Sequence, residues 1–288
     1  MAKQKRGSNL KRKEKNKSFL KKQYSLSWEY VKECRNYIYF ILGFLAFSAL
    51  LGAFYQPPEL VELIKKFLQD LISQTDGLNW WQMIIFILNN NLQTGFFAMI
   101  LGIFFSVFPV MTAFSNGYVL GFVAEKAIAV EGIVTLWRLA PHGIFEFPAL
   151  ILSLALGTKL GMFLTSAKEK SKGILAFVIS LAVFLFLGIS LFSSLSLLVS
   201  GSVSEDSMKT ILINNPLLLT LSSLLIIIGL YLLSNYIGMK VLSKSDCKRV
   251  LKEFKKRTEQ GLRVFFFVVI PLLIIAGIIE GILVVLLK

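Results

Sequence analysis

Arg138, His142 and Glu146 stand at i, i+4 and i+8, a spacing that stacks side chains along one face of an α-helix. If a helix runs through Pro141, which suits a first-turn position, His142 and Glu146 can hydrogen-bond and Arg138 lies at the mouth. Such a set suits an ion or proton path better than covalent catalysis. His142 is the chain's single histidine, whereas zinc sites want three or four His, Cys, Asp or Glu ligands. No G-x-S-x-G elbow and no P-loop occurs. No enzyme activity, metal or cofactor is therefore expected. The same residues have a structural reading: a His–Glu pair can hold helices together, and Glu146 can complement a helix N-terminus.

The elements that position these groups are membrane helices. The chain has 288 residues, of which 55% are hydrophobic and 17% charged. Soluble domains carry about 25% charged residues. No charge occurs between Asp76 and Glu125. Runs of this kind suit a bilayer, whose core takes about 20 apolar residues per helix. The reading is an all-α, polytopic transmembrane helix bundle. Spans are expected at about 37–55, 82–105, 107–124, 142–164, 174–200, 214–235 and 264–287. The uncharged stretch from 82 to 124 is too long for one ordinary span. Two helices turning near Phe108-Pro109 are expected, with six spans plus a re-entrant segment as the competing architecture.

Residues 1–23 read as a disordered basic arm, and 24–288 as a single transmembrane domain. A long basic stretch before the first apolar span does not resemble a signal peptide. Residues 24–36 suit an interfacial position beside the first span. Pro57-Pro58 ends that span. From 59 to 74, Leu60, Leu63, Ile64, Phe67, Leu68, Leu71 and Ile72 recur at helical spacing. This amphipathic helix either lies on the outer surface or packs against the bundle. Residues 126–141 read as a connection holding a short interfacial helix.

The formal charge of +14 suggests anionic lipid head groups rather than nucleic acid, because the cations lie beside apolar spans. Of the 31 Lys and Arg, 25 fall in residues 1–36, 159–173 and 240–263. That asymmetry puts the N-terminus in the cytoplasm of a cell-membrane protein. Cys34 and Cys247 then share the cytoplasmic side, with no disulfide framework.

Polar groups inside spans are functional candidates. They are Asn116, Glu146, His142, Arg138, Asn90 and Glu280. The run Asn89–Asn91 suits either binding of a polar substrate at the outer mouth or hydrogen bonds to neighbouring helices, and Lys159 is expected to snorkel to the inner interface. Ala113, Gly117 and Gly121 form one small-residue stripe. Ser153, Gly157 and Gly161 form another. Small stripes let membrane helices approach closely, and the third and fourth spans are expected to pair through these two.

The stretch His142-Gly143-Ile144-Phe145-Glu146-Phe147-Pro148-Ala149, with Asn116-Gly117 and Gly121 upstream, resembles the stage II sporulation protein M family. The likeness covers residues 20–235 or more and implies an all-helical membrane protein with its core around the second to fourth spans. The family's founding member scaffolds peptidoglycan-remodelling proteins during endospore formation. The resemblance therefore implies a non-enzymatic membrane scaffold or assembly factor with membrane-protein partners. The buried Asn, His and Glu groups support the alternative of a transporter or channel component.

Overall fold

The computed structural model describes residues 19–138, 140–200 and 216–286, without the side chains of 136–142, 191–222 and 280–286. Every regular element among them is helical: α1 (residues 19–33), α2 (Arg35–Phe54), α3 (Pro58–Thr75), α4 (Trp80–Ile100), α5 (Val107–Glu131), α6 (Ala140–Gly161), α7 (Lys170–Ser200), α8 (Pro216–Met239), α9 (Lys244–Val264) and α10 (Ile270–Leu286). Among the described residues, six stretches are long and apolar enough to cross a membrane. The α8 helix is a further apolar one, with described side chains over Ser223–Met239. The chain is a multi-pass membrane protein.

The chain packs as two compact units. One runs up to Gly161 and resumes at Lys256; the other is Met162–Lys255. In the second unit, α7 and α8 meet where a Cβ on Gly238 would overlap the Ser180 hydroxyl. Ser243 begins α9 there. Its hydroxyl accepts from the Asp246 backbone N–H at 3.1 Å and donates to the Asp246 carboxylate at 2.9 Å. The other carboxylate oxygen accepts from the Lys168 backbone N–H at 2.8 Å. Together these hydrogen bonds hold the Asp246 carboxyl below its ordinary range.

In the first unit, two tight helix pairs organise the fold. A Cβ on Gly121 would overlap the Ala49 carbonyl, one on Gly52 the Tyr118 carbonyl, and one on Gly117 would lie 2.5 Å from the Leu45 oxygen. These contacts join α2 to α5. Gly157 likewise faces Ala98 and Gly102, and Gly161 faces Gly102 and Ser106, which joins α6 to the end of α4. The α5 and α6 helices do pack, with Ala113 against Leu154 and Ala155, but the glycines of the two stripes each meet a different helix. Leu45, Ala49 and Gly52 on α2, and Gly95 and Ala98 on α4 with Gly102 in the turn that follows it, are the matching grooves.

The stretch from 82 to 124 forms two helices, and the turn lies earlier than Phe108-Pro109. A 3-10 turn at Leu101–Ile103 leads into Phe105 and Ser106, with φ of 53° and 63°. Pro109 sits in the first turn of α5, where its missing N–H costs nothing. Asn79 starts α4 by a reciprocal cap with Gln82, at 2.9 and 3.0 Å. The α5 helix runs through Glu125 and Lys126 to Glu131 and ends at Gly132, whose φ is 79°.

Two other boundaries move. Residues 19–23 are helical and not part of a disordered arm, since α1 buries Ser27, Tyr30 and the adjoining Cys34 on one face. The arm's residues 1–18 lie outside the described ones. The basic stretch 240–263 is mostly the helix α9, which continues through a π-turn at Phe265–Val269 into α10. Phe265 and Val269 then pack with Met99, Ala149 and Leu152, so the last helix closes the core formed by α4 and α6.

The amphipathic helix α3 packs against the bundle. Ile64 is buried against Tyr118 and Phe122 of α5. The Tyr118 hydroxyl donates to the Tyr55 carbonyl, and Gln56 Nε2 donates to Glu125 at 3.1 Å. These bonds fix the α2–α3 corner on α5.

Candidate functional site

Three helices bring polar groups to one cavity of about 60 Å³ in the first unit. Asn90, Asn91 and Thr94 come from the middle of α4, Asn116 from the middle of α5, and Glu146 and Ser153 from α6. Ala149 and Leu273 supply apolar wall. The α4 groups share a face because Asn90, Asn91 and Thr94 are three and four residues apart. Their mid-helix position does not suit the outer-mouth alternative for the Asn run. Asn89 turns away, accepting from Gln93 Nε2 at 3.2 Å on the exposed side.

Local hydrogen bonding settles part of this set. Asn116 Nδ2 donates to the Thr112 carbonyl at 2.8 Å, which turns its Oδ1 outward from its own helix. Ser153 is fully buried and donates to the Ala149 carbonyl at 2.9 Å, as serines in membrane helices commonly do. Glu146 lies in the second turn of α6, half-buried. Pro148 follows it inside the helix and cannot donate to the carbonyl four residues back, which loosens the turn at the carboxylate's height.

The structure thus brings together Asn90, Asn116 and Glu146 from the sequence candidates. The side chains of Arg138, His142 and Glu280 lie outside the described residues. Asn91, Thr94 and Ser153 join the site without having been candidates. Of these, Asn91 carried a signal as part of an Asn run in an uncharged span.

Asn116 also lines a second space. Between α3 and α5 lies a groove of about 630 Å³, bordered by Leu63, Phe67 and Asp70 on one side and Ser115 and Asn116 on the other. One asparagine therefore stands at the wall of both the groove and the polar cavity.

A family model described as stage II sporulation protein M matches residues 38–205. The chain belongs to that family. The matched segment takes in α2 to α7 and contains every polar residue of the cavity, whereas Leu273 comes from beyond it. No curated protein and no solved structure matches the chain.

A further polar cluster lies at the end of α6. Lys159 is only 7% exposed, enclosed by side chains from the N-terminal segment. Its ammonium is 3.4 Å from Glu33 Oε2, 3.6 Å from Cys34 Sγ and 4.0 Å from the Tyr30 ring centroid. Its backbone carbonyl accepts from Arg257 Nη1 at 2.6 Å. Tyr30 and Glu33 of α1, with Cys34 at the junction to α2, supply the ring, carboxylate and thiol around it. Burial raises the Cys34 thiol above its ordinary pKa, with Lys159 acting in the opposite direction.

Proposed function

We propose that this family member carries a small polar species, a cation or a proton, through the cell membrane without covalent catalysis. One observation carries the reading: Asn90, Asn91 and Asn116 from the middle of two membrane helices and Glu146 from the second turn of a third converge on one cavity. Polar side chains at such depth are costly, and where they gather around space they commonly mark ion or proton paths. A water needs roughly 10–15 Å³ of such volume, so 60 Å³ accommodates a few waters or a partly hydrated ion. Amide oxygens and one carboxylate suit a cation or a proton. Asn116 supports access, since it also borders the larger groove beside α3. The distribution of Lys and Arg favours a cytoplasmic N-terminus.

The test is flux in proteoliposomes holding the full chain, with proton, sodium or potassium gradients read by dyes. Wild type is expected to dissipate one gradient, and Glu146→Gln to slow that flux by at least roughly tenfold. Equal flux in both proteins, or none in either, removes the proposal.

A second reading is a membrane scaffold or assembly factor. It is favoured by α3, which exposes Leu63, Phe67 and Ile72 and borders the 630 Å³ groove. Mild crosslinking in native membranes followed by purification tests it. A chain that stays alone across several detergents counts against it.

A further inference from the structure

We infer that the Lys159 pocket is a binding site for the phosphate of an anionic lipid head group. The inference does not depend on the transport reading. A concavity of about 560 Å³ is lined by Lys32, Glu33, Arg35, Asn36 and Lys159. Three cations thus face one carboxylate, and that carboxylate already turns toward the Lys159 ammonium at 3.4 Å. The lining thus carries two positive charges in excess, which with the Asn36 amide as a further donor form a receptor for a phosphate oxyanion.

Lys159 gives the pocket a built floor. Its side chain is 9% exposed, held by Glu33, Cys34 and the Tyr30 ring rather than waving in solvent. A cation held this way loses little side-chain entropy on meeting an anion. The pocket's height points to a lipid source. Arg35 opens the apolar helix α2, and the next turn exposes Tyr39 and Phe40 by 68% and 51%. Acyl chains can lie on that surface while the phosphate meets Lys32, Arg35 and Lys159. Basic pockets between membrane helices bind head groups in this way.

The test uses the purified full chain in detergent, with dioctanoyl phosphatidylglycerol as probe and native mass spectrometry as readout. Dioctanoyl phosphatidylcholine and inorganic phosphate are the comparison arms. Wild type is expected to retain phosphatidylglycerol over phosphatidylcholine. Lys32→Gln with Arg35→Gln is expected to weaken binding by at least roughly tenfold, at about fivefold per cation removed. These residues are exposed, so the variant keeps its fold. Lys159→Met is expected to weaken binding as well. Displacement by inorganic phosphate supports the site and assigns recognition to the phosphate alone. Resistance to it supports the site with acyl chains contributing. No binding by wild type, unchanged binding in the double variant, or an equal loss in Lys65→Gln with Lys66→Gln on α3 overturns the inference.

Discussion

The Lys159 ammonium lies 4.0 Å from the centroid of the Tyr30 ring, joining α1 to the end of α6 through a buried cation. The Glu33 carboxylate completes the pair but is half-exposed. Removing either partner should therefore have unequal effects. Tyr30→Ala deletes a buried ring as well as the cation contact and should cost about 3 kcal/mol or more. Glu33→Gln should cost about 1 kcal/mol or less, because water screens the pair. Thermal unfolding in detergent separates the two. Similar losses in both would contradict this account.

Cys34 and Cys247 should differ in reactivity. Cys34 is fully buried and its thiol is pushed up by burial, with Lys159 pulling the other way. Thiolate is the reactive form, so a raised pKa lowers reactivity at neutral pH and moves its onset to higher pH. Maleimide at neutral pH should label Cys247 first and Cys34 only on unfolding. Lys159→Met removes the opposing charge and should shift Cys34 labelling further toward alkaline pH. Rapid labelling of Cys34 in the folded chain would refute the buried site.

The two glycine contacts should tolerate no side chain, whereas others should. A Cβ at Gly121 or Gly157 meets backbone on the neighbouring helix, and nothing lies within 4 Å of one at Gly43. Gly121→Ala and Gly157→Ala should each cost about 1–3 kcal/mol through forced separation of the helices. Gly43→Ala should be neutral or stabilising by up to about 1 kcal/mol, since alanine restricts the unfolded chain and favours helix. Melting temperatures of the three variants decide it.

Much of the architecture was legible because charge is segregated along this chain. The uncharged stretch after Asp76 required two helices, and two were found. The partner of each glycine stripe was not legible. Periodicity tells which face of α5 carries Gly117 and Gly121, but α2, α4 and α6 all present small residues, and only three-dimensional packing chooses among them. The turn was misplaced because Pro109 looks like a breaker, while the reversal uses Phe105 and Ser106, residue types that give no sign of positive φ. The burial of Lys159 was not legible because it depends on how α1 packs against the end of α6. Asn90, Asn116 and Glu146 were legible as polar groups inside apolar helices. Thr94 and Ser153 were not, since such hydroxyls usually bond their own helix.

Ser106 should show the strain of that turn. Its φ is 63°, and its hydroxyl donates to the Thr158 carbonyl at 2.9 Å in a buried site. Ser106→Gly relieves a backbone cost of about 1 kcal/mol and loses a bond of about the same worth. It should be close to neutral. Ser106→Val keeps the positive φ with a β-branched side chain and loses the bond, so it should cost about 2–4 kcal/mol. Unfolding in detergent measures both. A destabilised glycine variant would show that the hydroxyl matters more than the backbone.

Asn116 should report whether the groove beside α3 communicates with the polar cavity. In a chain with Cys34 and Cys247 replaced by serine, Asn116→Cys should react with a small, membrane-impermeant methanethiosulfonate, because Asn116 borders the 630 Å³ groove. Asn91→Cys lies in the 60 Å³ cavity and should react more slowly through the narrower space. Ser115→Trp fills the groove's rim. It should slow Asn116→Cys and Asn91→Cys together if the groove is the route inward. Unchanged labelling of Asn91→Cys in that background would mean that solvent reaches the cavity elsewhere, and Asn116 would then be a wall rather than an entrance.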